Sequence, residues 1–421
     1  MAIAATGGVV TRWTRAQHLR LASFWFGLYF LYTPIGTSLV PDQVDALVPK
    51  ERQALAIGVL LGIGAFFAMA VPPFIGRWSD RVTTRFGRRR PFIVAGTAGT
   101  AVSLVVMAIA PDYPLYVIGY CLVQLFANGA GAAYSGVIPD VVPEEDVGTA
   151  SGWLAVMVLV GSAGGLLANV VFAGIGVKRL TYVAIGVVLC LTLLPTLKAA
   201  RGEGSKPPLP PDPRPLRERA RDFFAPLRGG DFAWVVATRL INAAGIAAVT
   251  PFTLNFFRDV VGVGNPDVFN PIWYLVVLVF AGPFGYVGGR LSDRIGRKRF
   301  VYWSGGLQAA VAFVFIVLYP HSAGVVLLLG AVYGVGYGLY NAVDWALAVD
   351  TLPDREHSAK DMGLFHIALT LPGNVVPFLA GVTLDRINAG GGTQGYRVVF
   401  GSAAVFFLLS TVLVRRIKGV R

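Results

Sequence analysis

The chain has 421 residues, 55% of them hydrophobic and 14% charged, with a mean hydropathy of +0.63 and a formal net charge of +13 at pH 7. That balance is far more apolar than a water-soluble domain requires, so it excludes an ordinary soluble fold and makes lipid the solvent. The positive charge serves topology and attraction to anionic lipid, and by itself gives no support to a nucleic-acid partner.

In chain order, the N-terminal stretch MAIAATGGVVTRWTRAQHLRLASFW has no short apolar run followed by a small-residue cleavage site. No removable signal is expected, and the first apolar block stays as an anchor. About twelve blocks of ~20 residues follow, the length a helix needs to cross hydrocarbon. These spans, numbered 1 to 12, cover 17–40, 53–75, 91–110, 114–138, 149–174, 180–197, 231–257, 269–288, 300–319, 323–347, 362–382 and 396–414. Between spans 2 and 3, the stretch GRWSDRVTTRFGRRRPFIVAG places six arginines from Arg77 to Arg90 against an apolar wall. If span 1 starts in the cytoplasm, the two tails and the even-numbered connections hold most of the 36 Lys and Arg residues. Short loops rich in Lys and Arg stay inside, so both termini are expected in the cytoplasm, in a cell inner or plasma membrane. Cys121 and Cys190 fall in spans 4 and 6 without metal-site or disulfide spacing and read as inert buried thiols.

Two motifs occur twice. GRWSDRVTTRFGRRR, from Gly76, returns in shorter form as GRLSDRIGRKR from Gly289, with Asp293 standing 213 residues after Asp80. DVVPEEDVGTASG, from Asp140, returns as DTLPDREHSAKDMG from Asp350, an offset of 210 residues. Two pairs at nearly one offset imply a duplicated six-helix half. The expected fold is all-α, with twelve transmembrane helices in two pseudo-symmetric bundles, 1–197 and 231–421, joined by a cytoplasmic linker at 198–230. The linker is Pro-rich at first and basic later. Residues 215–227 suit either a short amphipathic helix on the inner leaflet, with Leu216, Phe223 and Phe224 on one side, or a solvated strand of chain.

The form Gly-x-x-x-Asp-Arg-x-Gly-Arg-Lys after span 8, with its expanded copy after span 2, resembles the loop motif of the major facilitator superfamily. SDRVTTRFGRRRPFI is similar to the sucrose/proton symporter group, related to the glycoside-pentoside-hexuronide cation symporters. GYGLYNAVDWALAVDTLP and AKDMGLFHIALTLPGNVVPFLAG resemble a microbial branch of that group. The resemblance implies the major facilitator fold and alternating access, with the first helix of each three-helix unit lining a central cavity. In the plant-like sucrose symporters, span 4 carries an acidic residue and, further along, an arginine; Gln124 and Ser135 stand at those positions here. That departure leaves coupling through Asp344, another cation, or passive facilitation.

Mechanically, a sharp turn after Gly76 and Gly289 would let two helices reverse, and Asp80 or Asp293 would sit near a helix N-terminus of the opposite half. The neighbouring Arg81, Arg88, Arg294 and Arg297 would pair with Asp140, Glu144, Asp350 or Asp354, forming a gate latch that breaks when the halves rock apart. The plainer alternative is that these charges only set topology. For the solute path, spans 1, 4, 7 and 10 each carry polar or aromatic residues on one face. These are Trp25, Tyr29 and Tyr32; Tyr120, Gln124 and Asn128; Arg239, Asn242 and Thr250; and Tyr333, Tyr337, Tyr340, Asn341 and Asp344, of which Trp25, Tyr29, Tyr32, Gln124, Asn128, Asn242, Tyr337 and Asn341 are the candidate solute contacts. Amides exchange hydrogen bonds with hydroxyls, and aromatic faces cover the apolar side of a sugar ring, so the lining suits a neutral polyhydroxy solute. Interhelical hydrogen bonding is the competing role for each.

Arg239 and Asp344 carry charge at membrane depth, which costs about 2.5–3.5 kcal/mol each on insertion scales. A fixed salt bridge and a pair that opens on protonation or solute arrival are both open, and His366 is either a second proton carrier or, as is commoner for a lone intramembrane histidine, a hydrogen-bonded packing residue. No residues match a nucleophile with its base, a zinc site or a phosphate-binding glycine loop, so no enzyme, cofactor or metal is expected. The expected partners are a small neutral solute such as a disaccharide or glycoside, protons if transport is coupled, and the bilayer, with the protein acting as a monomer. Two other readings stay open: a facilitator or exporter of another organic solute, and a non-transporting receptor or assembly factor.

Overall fold

A computed structural model describes residues 13–82, 84–201, 214–353 and 358–419. Among these residues there are no strands, and twelve long helical segments carry the twelve spans. Hydrocarbon imposes this outcome, because without water each spanning segment must satisfy its own N–H and C=O groups. Eleven of the helices are long and apolar enough to cross a membrane by length and composition. The remaining one is span 1, whose Trp25, Tyr29, Tyr32, Thr33, Thr37 and Ser38 make it less apolar than its neighbours.

Span 1 is also longer than its apolar block. It runs from Arg15–Pro34 through a π turn at Ile35–Leu39 into Val40–Leu47, with Pro41 tolerated in the first turn of that last piece. Span 7 ends in the same way: Asp231–Val249 passes through a 3-10 turn at Thr250–Phe252 and closes in a π turn at Phe257–Val261. π turns widen a helix locally and often mark functional positions. The two copies of the half thus share this irregularity at the face opposite the basic loops.

At the basic face the helices overrun the bilayer-length blocks. Span 2 extends over Gln53–Arg81 and span 8 over Pro266–Ile295, so the first part of each copy of the repeated motif is helical. The reversal expected after Gly76 and Gly289 falls instead at Gly87 and Gly296, whose φ angles are 107° and 108°. Those angles strain any residue with a Cβ, whereas nothing in Arg77–Arg81 breaks a helix. Directly after these glycines come Arg88 and Arg297. The Arg88 Nη2 lies 2.8 Å from Asp140, and the Arg297 Nη1 lies 3.0 Å from Asp350. The two pairs occupy equivalent positions of the duplication, and each braces the start of one span (3 or 9) to the end of the next (4 or 10). Arg89 reinforces the first brace, donating to Asp140 at 2.9 Å and pairing with Asp80 at 2.8 Å.

Spans 1–6 pack among themselves, as do spans 7–12. Within the first, span 1 lies against Gly161 and Gly165 of span 5, where a side chain would meet the carbonyls of Phe26 and Phe30. Such small residues replace the hydrophobic driving force that lipid does not supply. Span 11 is broken between Ser358–Thr370 and Pro372–Ile387, where Pro372 needs no N–H bond. Of the linker, 202–213 lies outside the described residues. Beyond it, Leu216–Phe224 is helical and is followed by a 3-10 turn at Ala225–Arg228. Phe223 approaches Gly363 at the basic end of span 11, while Phe224 stays exposed.

The halves meet along spans 2 and 11, where a Cβ on Gly58 would overlap the Pro377 carbonyl and one on Gly381 the Ala54 carbonyl. Gly58→Val should therefore wedge this seam apart at a cost of about 1–3 kcal/mol. The expected outcome is a longer distance between spin labels at Glu51 and Ala389 in the variant, measured by double electron–electron resonance; an unchanged distance distribution would contradict the tight seam.

Candidate functional site

On the face opposite the basic loops, polar side chains join the two halves. Asp45, in the extension of span 1, accepts from the Asn255 Nδ2 at 2.9 and 3.1 Å and from the Arg258 guanidinium. Arg258 also holds Asp259, which accepts from the Tyr396 hydroxyl at 2.7 Å. The Lys178 Nζ bridges Asp42 of its own half, at 2.5 Å, and Asp267 of the other, at 3.0 Å. The Asn270 Nδ2 donates to the Thr37 carbonyl at 2.7 Å, and Asp385 accepts from the Ala54 and Leu55 N–H groups at 3.2 and 2.8 Å, capping span 2. At the basic face, by contrast, none of the ion pairs found between described residues joins the two halves: four lie within one half and Arg214–Asp222 lies within the linker. Asp80, expected at a helix end of the opposite half, is paired with Arg89 instead, because the late turn at Gly87 folds Arg89 back onto it. Arg81 and Arg294 are exposed, the side chains of Glu144 and Asp293 lie outside the described part, and so does Asp354.

Between the halves lies a cavity of about 310 Å³. Its polar lining comes from Arg239, Asn242, Thr250, Tyr337, Tyr340 and Asn341 of the second half, and from Thr37 of the first. Arg239 and Asp344, both buried, form an ion pair, and the Arg239 guanidinium also stands 3.8 Å over the Phe365 ring. Asn242 is only 1% exposed, and its Nδ2 has no hydrogen-bond partner among the described residues; neither has the Arg239 Nε. The Asn341 Nδ2 donates to the Tyr337 carbonyl at 2.8 Å, and the Tyr337 ring stacks on Tyr333 at 6.1 Å. His366 is exposed, one turn from Leu369 and on the face that carries Gly373 and Pro377 into the cavity wall.

The residues singled out in spans 1 and 4 cluster with one another, and none of them lines this cavity. Trp25 packs edge-on against Tyr29 and Tyr134, and Tyr29 against Tyr32. The Tyr32 hydroxyl reaches Asn128 at 3.5 Å, and the Asn128 Nδ2 donates to the Gln124 carbonyl and side-chain oxygens at 2.7 and 2.9 Å. The first half's share of the cavity wall is instead Gly36, Thr37, Leu61 and Ala65. Small and aliphatic residues give no chemical signal in a sequence; only the position of Gly36 and Thr37 just after Pro34 hinted at an irregular, accessible stretch.

Burial sets the charge state of the outer ties that lie beyond the apolar part of span 1. Asp42 is pushed up to about 7 by burial first and by Asp267 next, against the opposing pull of Lys178. Burial likewise raises Asp45 to about 6, with Arg258 and Asn255 pulling it down.

Comparison with known proteins adds a family and a fold. The model of the Major Facilitator Superfamily matches residues 22–377 and 273–420. Over 401 residues the chain is 27% identical to "Transcription regulatory protein OpdE" of Pseudomonas aeruginosa, covering 90% of this chain and 89% of that one. A stretch of 94 residues is 36% identical to "Sucrose transport protein SUC4" of Arabidopsis thaliana, covering 22% of this chain and 18% of the relative. The crystal structure of nucleoside transporter NupG, as its D323A mutant, superposes with a TM-score of 0.75 at 14% identity, covering 95% of this chain and 99% of that one.

Two outcomes are expected from this geometry. Arg239→Gln leaves the buried Asp344 without its partner and should cost about 3–5 kcal/mol, most of it recovered in the double variant with Asp344→Asn, as measured by thermal unfolding in detergent. The second outcome concerns pH. If the outer face opens and rehydrates Asp42, its acidity returns toward the ordinary carboxylate range, so the joined state holds the extra proton between about pH 4 and 7. The joined state is thus favoured below pH 7 and weakened above it. Labels at Asp112 and Ser322 should report more joined molecules at pH 6 than at pH 8, and Asp42→Asn should flatten that difference.

Proposed function

The chain belongs to the Major Facilitator Superfamily, and from that membership we propose that it moves a small neutral solute, a disaccharide or glycoside, across the membrane by alternating access. The observation that carries this reading is the pair of buried donors without partners, the Asn242 Nδ2 and the Arg239 Nε, on the wall of a cavity between the halves. A buried donor left unpaired costs about 1–3 kcal/mol, so a bound molecule rich in hydroxyl acceptors gains by supplying the missing bond. The cavity volume sits at the lower end of small-molecule sites, about 300–1,000 Å³. The local likeness to a sucrose transport protein supports the choice of a sugar.

In this reading, Asn242, Tyr337 and Asn341 hold the solute from the second half. The aromatic and amide cluster of Trp25, Tyr29, Tyr32, Gln124 and Asn128 comes into contact when the halves rearrange. Asp344 releases Arg239 when it takes a proton, which frees the guanidinium for the solute, and His366 at the cavity mouth passes that proton on. The basic loops stay in the cytoplasm, with both termini, so the outer ties close the far side of the membrane while the basic face gives access. The repeated Arg–Asp braces keep each half rigid as it rocks.

A second reading rests on one specific observation: the relative that matches over nearly the whole chain is named a transcription regulatory protein. On that reading the bundle senses a solute and passes the signal to another protein, with no flux.

Purified protein in liposomes loaded with a pH-sensitive dye separates these. Sucrose, maltose and related glycosides are added outside while the lumenal pH is followed. The expected outcome is acidification with one sugar that is lost in Asp344→Asn. Uptake of labelled sugar without acidification would make the protein a facilitator, and binding of sugar without uptake would favour the sensing role.

A further inference from the structure

At the basic face, the ends of spans 3 and 6 enclose a groove of about 530 Å³ that opens to the side of the bundle. Three cations line it: Arg90 from the start of span 3, and Lys198 and Arg201 from the end of span 6; among the described residues no carboxylate does. Arg90 is held in place by the Ala200 carbonyl, to which its Nε and Nη2 donate at 3.2 and 2.9 Å. Lys198 and Arg201 are exposed and have no carboxylate partner among the described residues. Asp140, which borders the inner side of these two, is already taken by Arg88 and Arg89. The rest of the groove is apolar, with Phe86, Val94 and Leu197 among its walls.

The apolar part does not end at the groove. Along span 3, Val94 at 41% and Val102 at 66% stay exposed, and along span 6 so do Leu194 at 58% and Leu191 at 60%. Spans 3 and 6 pack side by side, so these residues run as a seam from the cation cluster toward the middle of the membrane. One end therefore offers concentrated positive charge at headgroup level, and the other offers a track for a hydrocarbon chain. Only a molecule with an anion attached to a long apolar tail matches both.

We propose that this groove is a binding site for an anionic phospholipid, with the headgroup phosphate on Lys198, Arg201 and Arg90 and one acyl chain along the seam between spans 3 and 6. Cation clusters between membrane helices recognise anionic headgroups by charge, and the chain contributes burial of apolar area. The site is independent of the solute cavity and of any choice of solute. Its position, where span 6 leads into the linker, makes the bound lipid a brace on the outside of the first half.

The test uses the full-length protein in detergent, titrated with phosphatidylglycerol or phosphatidylcholine of identical acyl chains, with bound lipid counted by native mass spectrometry. Wild type should retain phosphatidylglycerol at roughly tenfold lower concentration than phosphatidylcholine. The double variant Lys198→Gln/Arg201→Gln should lose that preference, whereas Lys298→Gln/Arg299→Gln in the other half should keep it. Val94→Trp leaves all three cations and fills the groove, and it should also lose the preference. Equal retention of the two lipids by wild type, or an unchanged preference in Lys198→Gln/Arg201→Gln, would overturn the site. A preference that survives Val94→Trp would show charge attraction without a groove and would overturn it as well.

Discussion

A charge inside hydrocarbon has to find its counter-charge within reach, and the Arg239–Asp344 pair is where that constraint shapes this protein. The pair lies wholly in the second half, under the Phe365 ring, and it orients the side chains around it. Asn242 on the same helix as Arg239, and Tyr337 and Asn341 on the same helix as Asp344, are brought to one wall of the cavity as a result. The first half has no equivalent. Its amides close on themselves, Asn128 donating to Gln124 on the preceding turn, and its share of the wall is small and mostly apolar. Duplication thus copied the frame, with the Arg88–Asp140 and Arg297–Asp350 braces in matching places, while the ion pair beside the cavity, Arg239–Asp344, belongs to the second half.

The ties between the halves are polarised to one face. Asp45, Lys178, Asn270 and Asp385 each cross the boundary there, and the glycine-lined seam of spans 2 and 11 lets the backbones approach closely enough to hold those ties in register. Separating that face rehydrates several charges at once, which offsets part of the lost pairing and keeps the opening cost within reach of a bound solute. The repeated motifs contribute differently from the expected latch. Their described ion pairs lie within each half.

The number of helices and their order were legible because a bilayer sets the length of an apolar block, and the duplication was legible because two motifs return at one offset. Similar depth permitted a pair between Arg239 and Asp344, but depth alone did not make them neighbours; that adjacency came from the fold the chain resembles. Helix ends were not. Span 1 reaches Leu47 through a π turn, which has no sequence signature beyond Pro34 and Pro41. The reversals at Gly87 and Gly296 were misplaced to Gly76 and Gly289, because a glycine shows where a turn is allowed, and only the finished backbone shows where a positive φ is needed. The outer ties escaped notice for another reason: Asp42, Asp45, Lys178 and Asp267 are single charges in separate connections, each indistinguishable from ordinary loop polarity until the fold brings them together.

The distribution of those ties also bears on the order in which the protein is made. Asp42 finds Lys178 within the first half, so that contact is available as soon as the sixth span has emerged. Asp45 has to wait for Arg258, 213 residues later in the chain. At about 5–20 residues per second of synthesis the delay is on the order of 10–40 s. During that interval the nascent first half sits in the membrane with its braces formed and its outer clamp open, exposing unmatched acid at the surface. The Asp45–Arg258 tie is accordingly absent from any chain that ends within the first half.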